Sequence, residues 1–309
     1  MRKKIVIVGG GFAGVNVLKR LVKHQEFEIT LVDKNNYNYF TPLIYQVATG
    51  FIEPSSISYP FRSLLSGKPH AHFWLGKLQE VIPEENKIIL SNGELNYDTL
   101  ILSTGTRTNY YGIENIRKYG IPMNSLNDAL NMRNILLQRI EKATRAKSEE
   151  EKEEWLTMVI AGGGATGVEV SGMFAELRKQ VILEEYSELK NVKASIYLVN
   201  SGENLLKSMS EKSQQFAYHQ LRDNYVKIVL NNRVKDFNGK EVILTDDSVI
   251  RSRNLIWATG VKGRTFKGLP KDWYEPGNRL LVNAYHKIKS TDNIYVIGDG
   301  SIMYEDEDF

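Results

Sequence analysis

The chain has 309 residues, room for about two domains of ordinary size. Its 42% hydrophobic content, 25% charged content and formal net charge of +3 are globular values and argue against nucleic acid as a partner. It has no cysteine, which excludes disulfide reduction, thiol-based sulfide chemistry and iron–sulfur ligation together.

The five histidines (His24, His70, His72, His219, His286) show no metal-ligand spacing with acidic partners, so no metal site is expected. No run approaches the roughly 18 apolar residues of a membrane span. Met1-Arg2-Lys3-Lys4 leads straight into an apolar run without a signal-peptide pattern, which predicts a cytoplasmic protein.

Ile5–Val8 predicts a buried strand, followed at once by Gly9-Gly10-Gly11-Phe12-Ala13-Gly14. A G-x-G-x-x-G at a strand-to-helix turn signals dinucleotide binding. Its first glycine allows the tight turn, its second admits a pyrophosphate, and its third lets helix pack close on strand. The phosphates then meet free N–H groups at the helix N-terminus. Val15, Leu18, Leu21 and Val22 give 15–24 one apolar helical face. Glu28–Val32 predicts the next strand, ending at Asp33, nineteen residues after Gly14. A carboxylate at about that distance accepts from adenosine ribose hydroxyls.

Residues 73–103 read as short strands with a turn at Asn92-Gly93, ending in Leu100-Ile101-Leu102-Ser103-Thr104-Gly105. Leu255-Ile256-Trp257-Ala258-Thr259-Gly260 is a near copy. A strand running into Thr-Gly lets backbone pass close beside a nucleotide. Thr104, Gly105 and Gly260 are therefore candidate contacts. Between them, Leu126, Leu130, Ile135, Leu136 and Ile140 predict a helix capped by Ser125 or Asn127. The charged run 147–154 reads as a solvated helix face or linker.

The second fingerprint, Gly162-Gly163-Gly164-Ala165-Thr166-Gly167, follows the apolar run Met158–Ala161. Strands are predicted at 157–161, 194–199, 227–230, 241–244 and 254–258. The strand Ser195–Val199 closes on Asn200, thirty-three residues after Gly167, with the excess assigned to a helix extended through Val181–Tyr186. Asn200 can bond a ribose hydroxyl without carrying charge. No Arg or Lys lies in the five residues after it and Glu203 does, which predicts NADH over NADPH.

A last strand, Ile294–Ile297, runs into Gly298-Asp299-Gly300, which resembles the second flavin motif, whose Asp accepts from the ribityl chain, so the first fold resumes after the second. The predicted fold is α/β, with two Rossmann-like dinucleotide-binding domains, the NADH domain inserted into a discontinuous FAD domain. The expected boundaries are 1–125 and 280–309 for the FAD domain, 126–156 for a helical linker and 157–279 for the NADH domain.

The stretch Tyr39-Phe40-Thr41-Pro42-Leu43-Ile44-Tyr45-Gln46-Val47-Ala48-Thr49-Gly50 resembles the segment after the FAD-binding acid in type II NADH dehydrogenases, the non-proton-pumping NADH:quinone oxidoreductases. Ile52-Glu53-Pro54-Ser55-Ser56-Ile57, Pro60-Phe61-Arg62 and Gly163-Gly164-Ala165-Thr166-Gly167-Val168-Glu169 continue the match. The resemblance implies that Gly9, Gly11, Phe12, Ala13 and Gly14 hold the FAD pyrophosphate. It places Asp33 at the adenosine ribose with Lys34 beside it, Thr41 and Pro42 by the flavin, Thr104 and Gly105 near its phosphates, and Asp299 at its ribityl chain. Gly162, Gly164, Ala165, Thr166 and Gly167 would take the NADH pyrophosphate, with Asn200 and Gly260 as further contacts.

Glu169 resembles the family's acid that reaches the nicotinamide–flavin region, and is the catalytic candidate. In a dry site its pKa rises and it can assist proton delivery. The implied reaction is ping-pong-like, with hydride from NADH to the flavin and two electrons from there to a quinone. The implied partners are NADH, quinone and a second copy in a homodimer, with the cytoplasmic face of the inner membrane a partner of the full-length family rather than of this chain.

The family pattern continues past the Gly-Asp turn with a quinone-site helix and a membrane-docking segment. This chain has ten residues after Asp299, ending in Tyr304-Glu305-Asp306-Glu307-Asp308-Phe309. A chain lacking those elements is expected to be impaired in FAD retention, quinone reduction and membrane contact. A soluble NADH-dependent ferredoxin- or rubredoxin-type reductase shares both fingerprints but not the 41–50 pattern. The non-enzymatic alternative is a nucleotide-binding fragment.

Overall fold

A computed structural model describes residues 2–304, without the side chains of 182 and 183; the acidic end 305–309 lies outside the described residues. The chain divides into two compact units. The first comprises Met1–Tyr39, Ser58–Arg107 and Val261–Phe309, and the second Phe40–Ile57 and Thr108–Gly260.

The first unit is built on a five-stranded parallel sheet, in the order Ile294–Val296, Thr99–Leu102, Lys3–Val8, Phe27–Asp33, Ala71–Leu75. Alternation along the strands sorts the apolar side chains into two layers, as the period of two requires. Val6, Val8, Val32, Leu100 and Leu102 enter one core with Val81 and Ile88 of an antiparallel three-stranded sheet. Ile5, Ile7, Ile29 and Leu31 enter the other, against Val15 and Leu18 of the helix Phe12–Leu21 and against Phe61. That helix starts three residues before the predicted apolar face and ends at Leu21 rather than at 24.

The second unit repeats the plan. Its five parallel strands run Ile121–Pro122, Asn254–Trp257, Met158–Ala161, Ile196–Val199, Val226–Val229. Val159, Ala161, Val199, Leu255 and Trp257 share a core with Val234, Phe237, Val242 and Leu244 of an antiparallel sheet. The helix Leu126–Thr144 is capped by Ser125, whose hydroxyl accepts from the Asp128 amide at 3.2 Å. The charged run forms a separate helix, Glu149–Leu156, capped by Ser148. After Ala165–Leu177 the chain widens into a π-helical turn at Arg178–Ile182 and then a short turn at Leu183–Glu185, not one extended helix.

The units divide the chain at other residues than the sequence reading did. Residues 126–156, read as a helical linker, group with the second unit, where Ile140, Ala143 and Leu156 are buried with Leu189, Val192 and Ala194. Residues 40–57 also group there, because the helix Ile44–Ala48 packs on Leu126–Thr144 and Ala165–Leu177. Residues 261–279 group with the first unit, where Phe266, Leu269, Trp273 and Tyr274 join its core. No helix among the described residues is long and apolar enough to cross a membrane.

Candidate functional site

Each unit carries one glycine turn, and the two turns are built alike. Gly9 (φ +107°) and Gly162 (φ +112°) hold a conformation that only glycine adopts without strain. A Cβ on Gly9 would overlap the Ser103 carbonyl, and one on Gly162 would lie 2.7 Å from the Ala258 carbonyl oxygen. Gly14 and Gly167 are the close-packing positions, since a Cβ there would overlap the carbonyl oxygens of Gly9 and Gly162. Gly11 and Gly164 differ from all of these: a Cβ at either would meet nothing within 4 Å. Each is the N-cap of its helix and neither has a side-chain cap. The approach to each helix N-terminus is thus open at the second glycine, the arrangement a pyrophosphate needs.

In the first unit Asp33 closes the turn. One carboxylate oxygen accepts from the Gly10 amide at 2.6 Å and the other from Asn35 at 2.8 Å. Burial pushes the Asp33 carboxyl above its usual range, against the pull of these amides and of Lys34. Asn38 donates to the Gly10 carbonyl at 2.7 Å, and the Phe61 ring lies where a Gly10 side chain would go. Ser103 donates to Gly9 at 2.7 Å. Gly298, in the turn Gly298–Gly300 that carries Asp299, would bring a Cβ to 3.1 Å from the Ala13 methyl, and Gly300 lies against Gly105. The Asp299 carbonyl accepts from Arg279.

Gly9, Asp33, Lys34 and Thr104 thus line one cavity of about 400 Å³. Arg107 and Arg264 line it as well. Arg264 donates to the carbonyls of Thr104 and Thr106, both at 3.4 Å. Burial, and then Arg107, hold its guanidinium below its usual pKa, while Asp33 and Tyr39 act the other way. These two cations, 157 positions apart and adjacent to neither fingerprint, escaped the sequence reading. An anionic group fits here: Gly9 of the glycine turn, the Asp33 carboxylate and two arginines line one cavity.

In the second unit Asn200 takes the place of Asp33. Its side-chain oxygen accepts from the Gly163 amide at 3.2 Å, and its NH2 donates to the carbonyls of Gly202 (3.1 Å) and Asn204 (3.0 Å). Asn200 therefore holds its own loop, a role the sequence did not suggest. Gly162, Gly164, Asn200, Thr259 and Gly260 line a cavity of about 680 Å³, together with Tyr111, Trp257, Arg233 and Lys235. Lys235 lies on the strand Val234–Phe237 and Arg233 directly before it, both more than thirty positions after Asn200 and outside the five-residue window read from the sequence. Among the described residues the buried Thr259 hydroxyl has no hydrogen-bond partner, which suits a polar ligand.

Ala165, Thr166 and Glu169 lie on the first turns of the helix Ala165–Leu177. Among the described residues Glu169 has no ion-pair partner, and desolvation raises its carboxyl pKa. Its helix packs on Ile44–Ala48, in the stretch that carries the family resemblance. Thr41 and Pro42 form the turn Thr41–Leu43 and belong to the second unit, whereas Gly9, Phe12, Asp33 and Gly105 belong to the first. Phe12 is exposed just after the first glycine turn.

At the mouth of the second cavity, Tyr111 stands over Gly260, whose added Cβ would overlap the tyrosine hydroxyl. Tyr111 is 61% exposed, meets Trp257 edge-on and has the left-handed φ of +52°. Its loop is stitched to the strand end by Trp257 to the Asn109 carbonyl (2.9 Å) and by the Asn109 amide to Gly260 (3.3 Å).

The family model for pyridine nucleotide-disulphide oxidoreductases matches residues 3–305. The type II NADH:quinone oxidoreductase Ndh of Mycobacterium tuberculosis is 30% identical over 96% of this chain and 67% of its own length. A solved structure of NDH2 from Plasmodium falciparum in complex with NADH superposes with a TM-score of 0.91 at 26% identity, over 98% of this chain and 65% of that one. The sulfide:quinone oxidoreductase of Aquifex aeolicus shares the fold, with a TM-score of 0.80 at 18% identity. The chain spans about two thirds of the length of such relatives. Cysteine-free, with two glycine turns of one design and a match along almost its whole length, the chain belongs to the pyridine nucleotide-disulphide oxidoreductase family, in its type II NADH:quinone oxidoreductase branch.

Proposed function

We propose that this chain is the nucleotide-handling part of a non-proton-pumping NADH:quinone oxidoreductase. The first unit holds FAD and the second takes NADH. One observation carries the reading: both glycine turns are closed at the first and third glycine and open at the second, as two bound pyrophosphates require.

When bound, the flavin supplies hydride acceptance and the onward transfer of two electrons. The protein's own work is placement. The N–H groups after Gly11 and Gly164 hold phosphate, and Asp33 with Lys34 faces the adenosine ribose. Arg107 and Arg264 neutralise the anion beside Thr104 and Gly105. Asp299, in its turn against Ala13 and Gly105, faces the ribityl chain. In the second unit Thr259 offers its unpartnered hydroxyl to the nucleotide and Asn200 keeps the turn in shape. Glu169, its carboxyl pKa raised by burial, retains a proton to higher pH than an ordinary glutamate and can deliver it as the acceptor is reduced. A quinone acceptor places the working protein at a membrane surface, on its cytoplasmic side.

A visible spectrum of the purified chain with FAD, followed by anaerobic NADH, tests this. With FAD supplied in excess, flavin bands that NADH bleaches are the expected result. Flavin that binds but does not bleach refutes the second half of the reading, and no flavin binding refutes the first.

A further inference from the structure

We propose that the cleft of the second unit accepts a 2′-phosphorylated nucleotide, so that NADPH serves beside NADH, and that Arg233 is the residue responsible. The inference rests on the reading of this unit as the pyridine-nucleotide unit. It starts from the residue that ends the second parallel strand. An acid at that position accepts from the 2′-hydroxyl and repels a 2′-phosphate. Asn200 carries no charge, and its side chain is occupied by Gly163, Gly202 and Asn204. The usual repulsion is therefore missing.

Attraction comes from the segment that crosses beside it. The Asn232 amide donates to the Asn200 carbonyl at 3.1 Å, and the Asn231 amide to the Gly202 carbonyl at 3.2 Å. The Asn232 side-chain oxygen accepts from the Arg233 amide at 2.9 Å and from Thr245 through both its amide (3.1 Å) and its hydroxyl (2.7 Å). The backbone of Arg233 is thereby fixed one residue from a direct bond to Asn200. Its guanidinium is exposed and lines the same cavity as Asn200 and Ser201. Among the described residues it has no carboxylate partner, whereas Lys235 on the same wall is paired with Asp247 at 2.7 Å. No Asp or Glu lines this cavity, and Glu203 is exposed on the loop outside it. An unpaired guanidinium beside an uncharged strand end suits a phosphate, which it can hold through two parallel N–H bonds.

Calorimetric titration of the full chain with NAD+ and with NADP+, for the wild type, Arg233→Ala and Arg233→Lys, tests the proposal. The expected wild-type affinities for the two nucleotides lie within about tenfold. Arg233→Ala is expected to weaken NADP+ by about ten- to a hundredfold, the range of one charge-assisted contact, and to change NAD+ by less than about twofold. Arg233→Lys is expected to keep most of the NADP+ affinity but with a steeper loss in salt. An equal loss of both nucleotides in Arg233→Ala would mean that the guanidinium serves the adenine or pyrophosphate, and overturns the proposal. So does a wild type that binds NAD+ but holds NADP+ more than about a hundredfold weaker. If the folded wild type binds neither, the pyridine-nucleotide reading itself falls. Because Arg233 is exposed, unchanged circular dichroism melts are expected for both variants.

Discussion

The two kinds of glycine in the first turn separate folding from cofactor binding, and Gly11→Ala against Gly14→Ala measures that separation. At Gly14 an added methyl would overlap the Gly9 carbonyl and lie 2.6 Å from the Ser103 hydroxyl, which itself bonds to Gly9 at 2.7 Å. A carbon–oxygen contact ordinarily needs about 3.3 Å or more. Backbone stands on one side and a fixed hydroxyl on the other, so relief requires the helix Phe12–Leu21 to lift from its strand. Overpacking of this kind costs about 1–3 kcal/mol, and the backbone clash puts Gly14→Ala at the upper end. At about 2–4 °C per kcal/mol for a domain of this size, Tm falls by roughly 6–12 °C. At Gly11 the methyl meets nothing within 4 Å, and φ −74° with ψ −167° is open to any residue. The cost there is that of a poorer N-cap, under about 1 kcal/mol. The same methyl stands where phosphate must approach, so FAD affinity falls by at least about tenfold even though the fold survives. Thermal circular dichroism of the flavin-free protein and visible absorption after adding FAD give both readouts. The reasoning is wrong if the two variants melt alike, or if Gly11→Ala retains flavin as the wild type does.

Three further outcomes are expected. Asn200→Ala removes the acceptor for Gly163 and the donors to Gly202 and Asn204, and should lower stability by about 1–3 kcal/mol in urea titration; an unchanged midpoint would show that the loop holds itself. Gly260→Ala strains a φ of +52° and collides with the Tyr111 hydroxyl, so its cost should shrink in a Tyr111→Ala background. Strict additivity in that double-mutant cycle would disprove the contact. Burial raises the Glu169 pKa, so the stability this group contributes is complete below the unfolded-state value and is lost as pH rises through the folded-state one. Glu169→Gln should accordingly gain on the wild type as pH climbs above the ordinary glutamate range, and should slow quinone reduction. A pH-independent stability difference would show that burial does not act on this carboxyl.

What was legible in the sequence was local. Both glycine turns, the strands that feed them and the Thr-Gly strand ends follow from short-range sterics, and the structure places them at the mouths of two cavities. Asp33 stood out by spacing because one β-α-β unit fixes where the second strand ends, and it lines the first cavity. The rest depended on long-range topology. Arg264 reaches Thr104 across 160 positions, and Arg233 reaches the Asn200 loop through a neighbouring strand, so a five-residue window saw no cation. Ile44, Val47 and Ala48 read as apolar in the sequence, but their partners are helices that begin about eighty residues or more further on. Hence 40–57 was read with the first glycine turn and 126–156 as a linker, whereas both group with the second compact unit. Tyr111 carried no local signal, because its left-handed turn rests on Asn109 and a strand end near 257.

The strand Thr99–Leu102 lies inside the first sheet only because Ile294–Val296 pairs along its outer side. On a ribosome making about 5–20 residues per second, those partners are separated by roughly 10–40 s. During that interval an apolar strand has one unpaired edge while the whole of the second unit is made. An open edge of this kind is a template for mispairing with other chains. Early completion of the second unit, and chaperone cover of the waiting edge, would therefore govern the yield of soluble protein during expression, and slowing synthesis between residues 103 and 293 should lower it.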